Sequence, residues 1–128
     1  MKVTSTPNAP AAIGPYSQAI EVNGFLFASG QIPLDPATGE IVGTTIEEQA
    51  ERCCQNVKGI LEANGLSFTD VVKTTCFLAE MSDFAAFNGV YAKYFVGKPA
   101  RSCVAVKEVP KGVLCEIEII AVTGNKKS

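Results

Sequence analysis

The feature that most constrains the fold is a helical segment that begins near residue 45 and ends near residue 65. One of its faces carries apolar residues at helical spacing, namely Ile46, Ala50, Cys53, Val57, Ile60 and Leu61. Thr45 and Glu48 fit a capping box at its start, and Gly65 fits the position just past its end. A helix with one apolar stripe must bury that stripe against another element. The rest of the chain therefore has to supply a layer that covers it.

Strand patterns on both sides of this helix indicate that the covering layer is a sheet. The Asn-Gly pair at 23–24 predicts a two-residue hairpin turn, because both turn positions need positive φ, and it joins strands near 16–22 and 25–30. Residues 33–44 contain two prolines and two glycines and predict a loop. Val71–Leu78 is rich in β-branched residues and predicts a buried strand.

A second helix and two further strands follow. The helix begins near 82–83, and Gly97 closes it. Its core side is aromatic and consists of Phe84, Phe87, Tyr91, Tyr94 and Phe95. Strands near 101–107 and 113–122 come next, and we expect the turn at 110–112 to pair them with each other.

The order of these elements, β-β-α-β-α-β-β, predicts one α+β domain over residues 1–128, with two helices on one face of a five-stranded sheet. The other face is left bare. On the last strand it shows apolar and acidic side chains together: Leu114, Glu116, Glu118, Ile120 and Val122. Such a face predicts packing against another subunit around a polar pocket, and a closed ring is one arrangement that buries it.

Composition excludes several classes of site. The chain contains no histidine, which rules out a Ser-His-Asp triad, a Cys-His dyad and histidine-ligated metals. Its five cysteines are odd in number and scattered, which predicts reduced thiols. The net charge of −2 comes with dispersed lysines, which argues against a nucleic-acid partner. No apolar run could span a membrane or act as a signal peptide, so the sequence predicts a cytosolic protein.

The two arginines of the chain have different settings. Arg52 lies in the first helix with Glu48 as its i−4 partner, which indicates a solvated surface role. Arg101 opens a strand at the edge of an apolar layer. Its guanidinium either pairs with an acid for structure or offers its planar fork to the carboxylate of a ligand.

Glu116 and Glu118 fall on one face of the last strand, which we expect to lie beside Arg101. Either they form a structural ion pair with that arginine, or one of them is simply exposed to solvent, or one of them orients a water beside an arginine-bound substrate. A partly buried carboxylate with a raised pKa could act as acid or base in that role. Cys103 lies on the same side of its strand as Arg101. Without a histidine to deprotonate the thiol, Cys103 is more suited to form a small apolar wall, or to turn its backbone carbonyl towards a ligand, than to act as a nucleophile.

Several sequence blocks carry a resemblance to a known family. They are NAPAAIGPYSQA at 8–19, SGQIPLDP at 29–36, TGE at 38–40, DFAAFN at 83–88, PARSCV at 99–104 and EIE at 116–118. In this order they resemble the RidA/YjgF family over most of the chain. The segment 95–99 looks shorter than in many relatives, and because it borders the expected cleft it leaves the substrate preference open.

The resemblance implies a chorismate-mutase-like fold, a homotrimer with three clefts between subunits, and 2-iminobutanoate/2-iminopropanoate deaminase activity without cofactor or metal. Such an enzyme would hydrolyse reactive imines that pyridoxal-phosphate enzymes release from serine or threonine. By the same resemblance Arg101 would bind the substrate carboxylate, Glu116 would hold the attacking water, and the Cys103 carbonyl would contact the imine nitrogen. The residues that would line the cleft are Tyr16, Ser29, Gly30 and Asn88.

Two other functions stay open. Relatives of the family are reported as ribonucleases or translation inhibitors, although the absence of histidine and the acidic pI of about 5.1 weigh against that role here. A non-enzymatic role, as a ligand-binding regulator or as a holdase activated by oxidation, is compatible with the five cysteines.

Overall fold

The computed structural model describes residues 1–124 and contains one mixed sheet with two helices. The strands are β1 (Lys2–Thr4), β2 (Ala19–Val22), β3 (Phe25–Ala28), β4 (Val71–Leu78), β5 (Ala100–Ala105) and β6 (Cys115–Val122), and the helices are α1 (Ile46–Ala63) and α2 (Phe84–Tyr94). The strand order across the sheet is β1-β2-β3-β6-β4-β5. The predicted α+β class is confirmed. No helix within residues 1–124 is long and apolar enough to span a bilayer.

The start of α1 has the predicted capping box. The Thr45 hydroxyl accepts a hydrogen bond from the Glu48 amide at 3.2 Å, and the Glu48 carboxylate accepts from the amides of Thr44 and Thr45 at 2.9 and 3.2 Å. These amides lower the pKa of Glu48. Because that carboxylate is engaged at the helix start, Arg52 pairs elsewhere and donates to Asn56 Oδ1 at 2.8 and 3.1 Å. The expected Glu48 partner of Arg52 was therefore wrong.

The core lies between the helices and one face of the sheet. On β6 the inward side chains are fully buried, and they are Cys115, Ile117, Ile119 and Ala121. The apolar stripe of α1 packs above them, and Phe87 and Tyr91 of α2 join the same cluster. The alternation read from the sequence of β6 is confirmed, since burial changes with every residue along the strand.

Within residues 1–124 the opposite face of the sheet is bare. Glu116, Glu118 and Ile120 point to it, and Phe27 of β3 lies in register with Ile120. Phe25 and Phe27 keep 42% and 45% of their surface exposed on this face. Two exposed phenylalanines on a sheet face are unusual for a surface that faces only water, and such patches mark interaction sites.

The expected pairing between the last two strands was wrong. β5 runs parallel to β4, and β6 runs antiparallel to β4 on its other edge, so β4 separates β5 from β6. The β4-α2-β5 segment forms a crossover unit, which parallel neighbours require. This unit places β5 at the outer edge of the sheet. Residues 106–114 then lead back across β4 through a short 3₁₀ turn at Pro110–Gly112.

Smaller differences concern the first strands. The sheet has six strands, because Lys2–Thr4 pairs antiparallel with β2, and a three-residue strand has no alternation long enough to be read from the sequence. β2 begins at Ala19, not near residue 16, and β3 ends at Ala28, not near residue 30. The chain then turns to form an isolated bridge between Gln31 and Ile117. Asn23 and Gly24 have φ of 53° and 83°, as the hairpin turn requires.

Candidate active site

Arg101 is held by one face of α2. Its guanidinium carbon lies 4.7 Å from the centre of the Tyr91 ring and 5.4 Å from that of Phe84, and its Nη1 donates to Asn88 Oδ1 at 2.7 Å. The three partners are spaced four and three residues apart, so they share one side of the helix. Thr74, the β4 partner of Arg101, is fully buried, which places the Arg101 side chain on the helix-covered face.

The surroundings of Arg101 favour a ligand over a structural ion pair. Within residues 1–124 no carboxylate forms a salt bridge with it. A guanidinium has five N–H donors, and the Asn88 amide oxygen accepts from only one nitrogen. The side chain is half-buried beside a cavity of about 490 Å³ whose wall includes Tyr91, Phe95 and Pro99. Of the two alternatives that the sequence left open, a structural pair between Arg101 and Glu116 or Glu118 of the same chain is not formed within residues 1–124.

Glu116 lies in a second cavity, on the bare face of the sheet. This cavity has a volume of about 480 Å³, and Tyr16, Ser29 and Gly30 line it together with Glu116. Burial raises the pKa of the Glu116 carboxyl, and the neighbouring negative charge of Glu118 raises it further. Both effects disfavour the ionised form, so the carboxyl can exchange a proton closer to neutral pH than an ordinary glutamate.

Residue 30 is a glycine because the Glu116 carboxylate leaves no room for a side chain there. The backbone of Gln31 pairs with that of Ile117 through hydrogen bonds of 2.8 and 3.0 Å, which places residue 30 directly against Glu116. A Cβ on residue 30 would collide with a carboxylate oxygen of Glu116. Ser29 fixes the same segment, because its hydroxyl donates to the Ser17 carbonyl at 2.6 Å and its amide donates to the Gln18 carbonyl at 2.9 Å. The Ser29 hydroxyl is thus engaged in positioning the backbone.

Tyr16 and Lys111 both line the second cavity, but only Tyr16 was a candidate site residue from the sequence. Tyr16 stands at the rim of this cavity with 54% of its surface exposed. Lys111 also lines the cavity, and its backbone is left-handed with φ of 59°. The sequence reading missed Lys111 as a site residue. The only local signal was its place between Pro110 and Gly112 in the expected turn.

Cys103 lies with Arg101 on the helix-covered face, in register with the buried Cys76. Burial raises the pKa of its thiol and outweighs the opposing effect of the Arg101 charge. The raised pKa favours the protonated thiol, which is a weaker nucleophile than the thiolate. All five cysteines are free, and the other four are buried in the core.

The chain does not bring the two halves of the candidate site together. Register places Arg101 level with Thr74, and Glu116 level with Phe77, on opposite faces of the sheet. β4 also separates the strands that carry them. Asn88, Cys103 and Arg101 form one half, which we call the arginine half. Tyr16, Ser29, Gly30 and Glu116 form the other, which we call the carboxylate half.

Comparison with known proteins identifies the family. The family model described as endoribonuclease L-PSP matches residues 6–123. A RutC family protein of Pyrococcus horikoshii is 55% identical over 121 residues, which cover 94% of this chain and 96% of that protein. The chain belongs to the RidA/YjgF family.

Other members of the RidA/YjgF family carry different names. The mouse protein named 2-iminobutanoate/2-iminopropanoate deaminase is 48% identical over 124 residues, covering 96% of this chain and 92% of that protein. Among solved structures, a Thermotoga maritima protein described as a putative endoribonuclease superposes with a TM-score of 0.93 at 54% identity, covering 95% of this chain and 97% of that one. Escherichia coli TdcF, solved with bound serine, superposes with a TM-score of 0.90 at 45% identity, covering 95% and 98% of the two chains. These likenesses confirm the predicted RidA/YjgF fold.

Proposed function

We propose that this RidA/YjgF family protein hydrolyses reactive 2-imino acids, such as 2-iminobutanoate and 2-iminopropanoate, to 2-oxo acids and ammonia. The observation that carries the proposal is the arginine half. There a guanidinium is oriented by Asn88 and Tyr91 while no carboxylate within residues 1–124 neutralises it. Such a group suits the planar carboxylate that every 2-imino acid carries. The mouse relative named as a deaminase supports the same activity.

We infer further that the protein works as a homotrimer, with the arginine half of one subunit facing the carboxylate half of the next. Three observations support this arrangement. The two halves lie on opposite faces of the sheet. The bare face exposes Phe25 and Phe27. β5, which carries Arg101, is an edge strand that a neighbouring subunit can approach. Three clefts between subunits would each receive both halves.

In such a cleft Arg101 would bind the substrate carboxylate through two parallel hydrogen bonds, while the Cys103 carbonyl accepts one from the iminium N–H. Glu116 would take a proton from water as that water adds to the C=N carbon, which gives a tetrahedral carbinolamine. Glu116 then returns the proton to the nitrogen, the C–N bond breaks and ammonia leaves, and the hydroxyl gives its proton to the Glu116 carboxylate as the C=O bond of the 2-oxo acid forms. Because the pKa of Glu116 is raised, the carboxyl can both accept and return this proton near neutral pH.

This chemistry needs neither a nucleophilic side chain nor a cofactor. A protonated imine is already an electrophile, and positioning it next to an activated water supplies much of the rate. Tyr16, Ser29 and Gly30 would line the cleft beside the water. Released imines react with pyridoxal-phosphate enzymes, so the physiological role we propose is to protect those enzymes.

The test uses 2-iminobutanoate generated in place by a threonine dehydratase and trapped with semicarbazide. We expect the wild-type protein to lower the trapped fraction, and Arg101→Ala and Glu116→Ala, folded and of wild-type oligomeric state, to leave it at the spontaneous level. A wild-type protein without effect on trapping would refute the deaminase. In that case, binding of a 2-oxo acid without turnover would indicate a ligand-binding regulator. RNA cleavage that survives Arg101→Ala would indicate a ribonuclease.

A further inference from the structure

Two side-chain hydroxyls form a hydrogen bond to each other next to Arg101, and neither of them has a part in the proposed binding of substrate. Tyr91 Oη and Thr74 Oγ1 are 2.7 Å apart, and both residues are buried. Thr74 is the β4 residue in register with Arg101, so the pair lies beside the strand position of the arginine, on the same face of the sheet. A buried hydroxyl without a partner costs free energy, and each of these two satisfies the other.

The pair fixes the plane of the Tyr91 ring. One edge of the ring is tied to β4 through Thr74, and its face stacks on Phe95 with centroids 4.3 Å apart and planes inclined by 19°. The Arg101 guanidinium carbon lies 4.7 Å from the ring centre. Asn88 engages one nitrogen of the same guanidinium from the side. The guanidinium is thus located by one planar surface and one hydrogen bond.

We propose that Tyr91 is a positioning residue for Arg101 and that its hydrogen bond to Thr74 holds the ring in the orientation that presents the guanidinium fork to a ligand carboxylate. A phenylalanine would fill the same space, so the hydroxyl needs a separate reason, and fixing the ring supplies one. A flexible arginine loses conformational freedom when it binds, and a pre-oriented one loses less. The nature of the ligand rests on the proposed function, whereas the positioning of Arg101 does not.

The same helix offers a matched control. Tyr94 also packs its ring in an aromatic cluster, with Phe68 at 5.4 Å, and also uses its hydroxyl inside the chain. That hydroxyl accepts from Gln55 at 2.7 Å and donates to Glu51. The contacts of Tyr94 are to α1 and Phe68, not to Arg101. Tyr94→Phe therefore removes a comparable hydroxyl from α2 without changing the surface under the guanidinium.

The first experiment measures the mobility of the Arg101 side chain in the absence of any ligand. Because the chain has two arginines, the ¹⁵N spectrum of their Nε–H groups is simple, and Arg52, bonded to Asn56, is an internal standard. We expect the Nε–H order parameter of Arg101 to fall in Tyr91→Phe and in Thr74→Val while that of Arg52 is unchanged. Tyr94→Phe should leave both values at the wild-type level. An Arg101 order parameter that Tyr91→Phe and Thr74→Val leave unchanged would overturn the positioning role.

The second experiment measures binding of 2-oxobutanoate, the expected product, to the intact oligomer by calorimetry. We expect about threefold to tenfold weaker binding for Tyr91→Phe and Thr74→Val, and no further loss in the double variant, because the two hydroxyls act as one unit. In imine hydrolysis the same variants should raise KM more than they lower kcat. Equal losses in Tyr91→Phe and Tyr94→Phe would show a merely structural hydroxyl and would overturn the inference.

The two experiments separate this inference from the proposed function. A wild-type protein that neither hydrolyses the imine nor binds 2-oxobutanoate would refute the deaminase, but the order parameter of Arg101 would still decide the role of Tyr91. If the protein is a deaminase but neither Tyr91→Phe nor Thr74→Val changes the order parameter of Arg101, the proposed function stands and the positioning role of Tyr91 is refuted.

Discussion

The arginine half and the carboxylate half hold their charges in different ways. The Arg101 guanidinium has its direction fixed by α2, through a hydrogen bond to Asn88 and the ring face of Tyr91. Glu116 has the opposite character, because burial and Glu118 disfavour its ionised form. The first half is suited to hold an anion in one orientation, and the second is suited to exchange a proton. Under the proposed function, binding and proton transfer would fall on different faces of one sheet, and a second subunit would have to join them.

The largest effect is expected where the two halves have to meet. Phe27→Glu places a charge in the centre of the bare face, next to Glu118 and Ile120, and burying it against another subunit would cost several kcal/mol. We expect association to weaken about a thousandfold, with loss of imine hydrolysis, as measured by sedimentation and by semicarbazide trapping. Ile41→Glu is the control, because Ile41 is 46% exposed in the loop before α1. An assembly that tolerates Phe27→Glu but not Ile41→Glu would place the interface elsewhere.

The next effect separates chemistry from binding. Glu116→Gln keeps the shape of the side chain and removes the proton acceptor, so we expect kcat to fall about a hundredfold. The arginine half is unchanged, so the Kd for 2-oxobutanoate should stay within about twofold of wild type. Rapid kinetics and calorimetry on the same preparation measure both. A variant that loses affinity and keeps kcat would reverse the roles assigned to the two halves.

Arg101→Lys tests the other half and should have a smaller effect than loss of the whole side chain. Lysine keeps the charge but lacks the planar fork, so we expect about 30-fold weaker binding of 2-oxobutanoate. Because no ion pair within residues 1–124 involves Arg101, the melting temperature should change little. Unchanged affinity would mean that only the charge of Arg101 matters for binding. Asn88 and Tyr91 would then not orient the guanidinium for a two-point contact with the ligand carboxylate.

The smallest effect concerns stability and pH. Because the pKa of Glu116 is raised in the folded protein, its contribution to stability is full below the unfolded pKa of about 4.3 and is lost as the pH rises through the folded pKa. Glu116→Gln should therefore melt about 1–2 °C above wild type at pH 8, and the difference should vanish near pH 4. Solvent still reaches the carboxyl, which keeps the effect small. A variant that melts below wild type at pH 8 would mean that the ionised carboxylate is stabilised in the fold.

Much of the fold was predictable because its signals are local. The capping box at Thr45 and Glu48 involves four consecutive residues, and the alternation along β6 follows from the geometry of one strand. The pairing partner of each strand was not predictable in this way, because it depends on contacts between residues far apart in the sequence. β5 pairs with β4 because α2 carries the chain over the sheet between them, and no pattern within residues 101–122 reveals that crossover.

For the candidate site, the sequence supplied the residues but not their arrangement. Resemblance supplied Arg101, Glu116, Asn88 and the others, while their separation onto two faces depends on the register of β4 with both of its neighbours. Tyr91 was expected only as a core residue. Its second role, under the guanidinium, follows from the meeting of α2 with the edge strand, which brings together residues ten positions apart in the sequence.

The most direct test of the two-subunit site is complementation between inactive variants. Arg101→Ala and Glu116→Ala subunits are mixed in equal amounts, dissociated and reassembled, and imine hydrolysis is measured by semicarbazide trapping. If each cleft takes its arginine from one subunit and its carboxylate from the next, random reassembly leaves about one cleft in four with both groups, and about a quarter of wild-type activity should return. Activity that stays at the spontaneous level, in mixed oligomers verified by mass, would contradict the account.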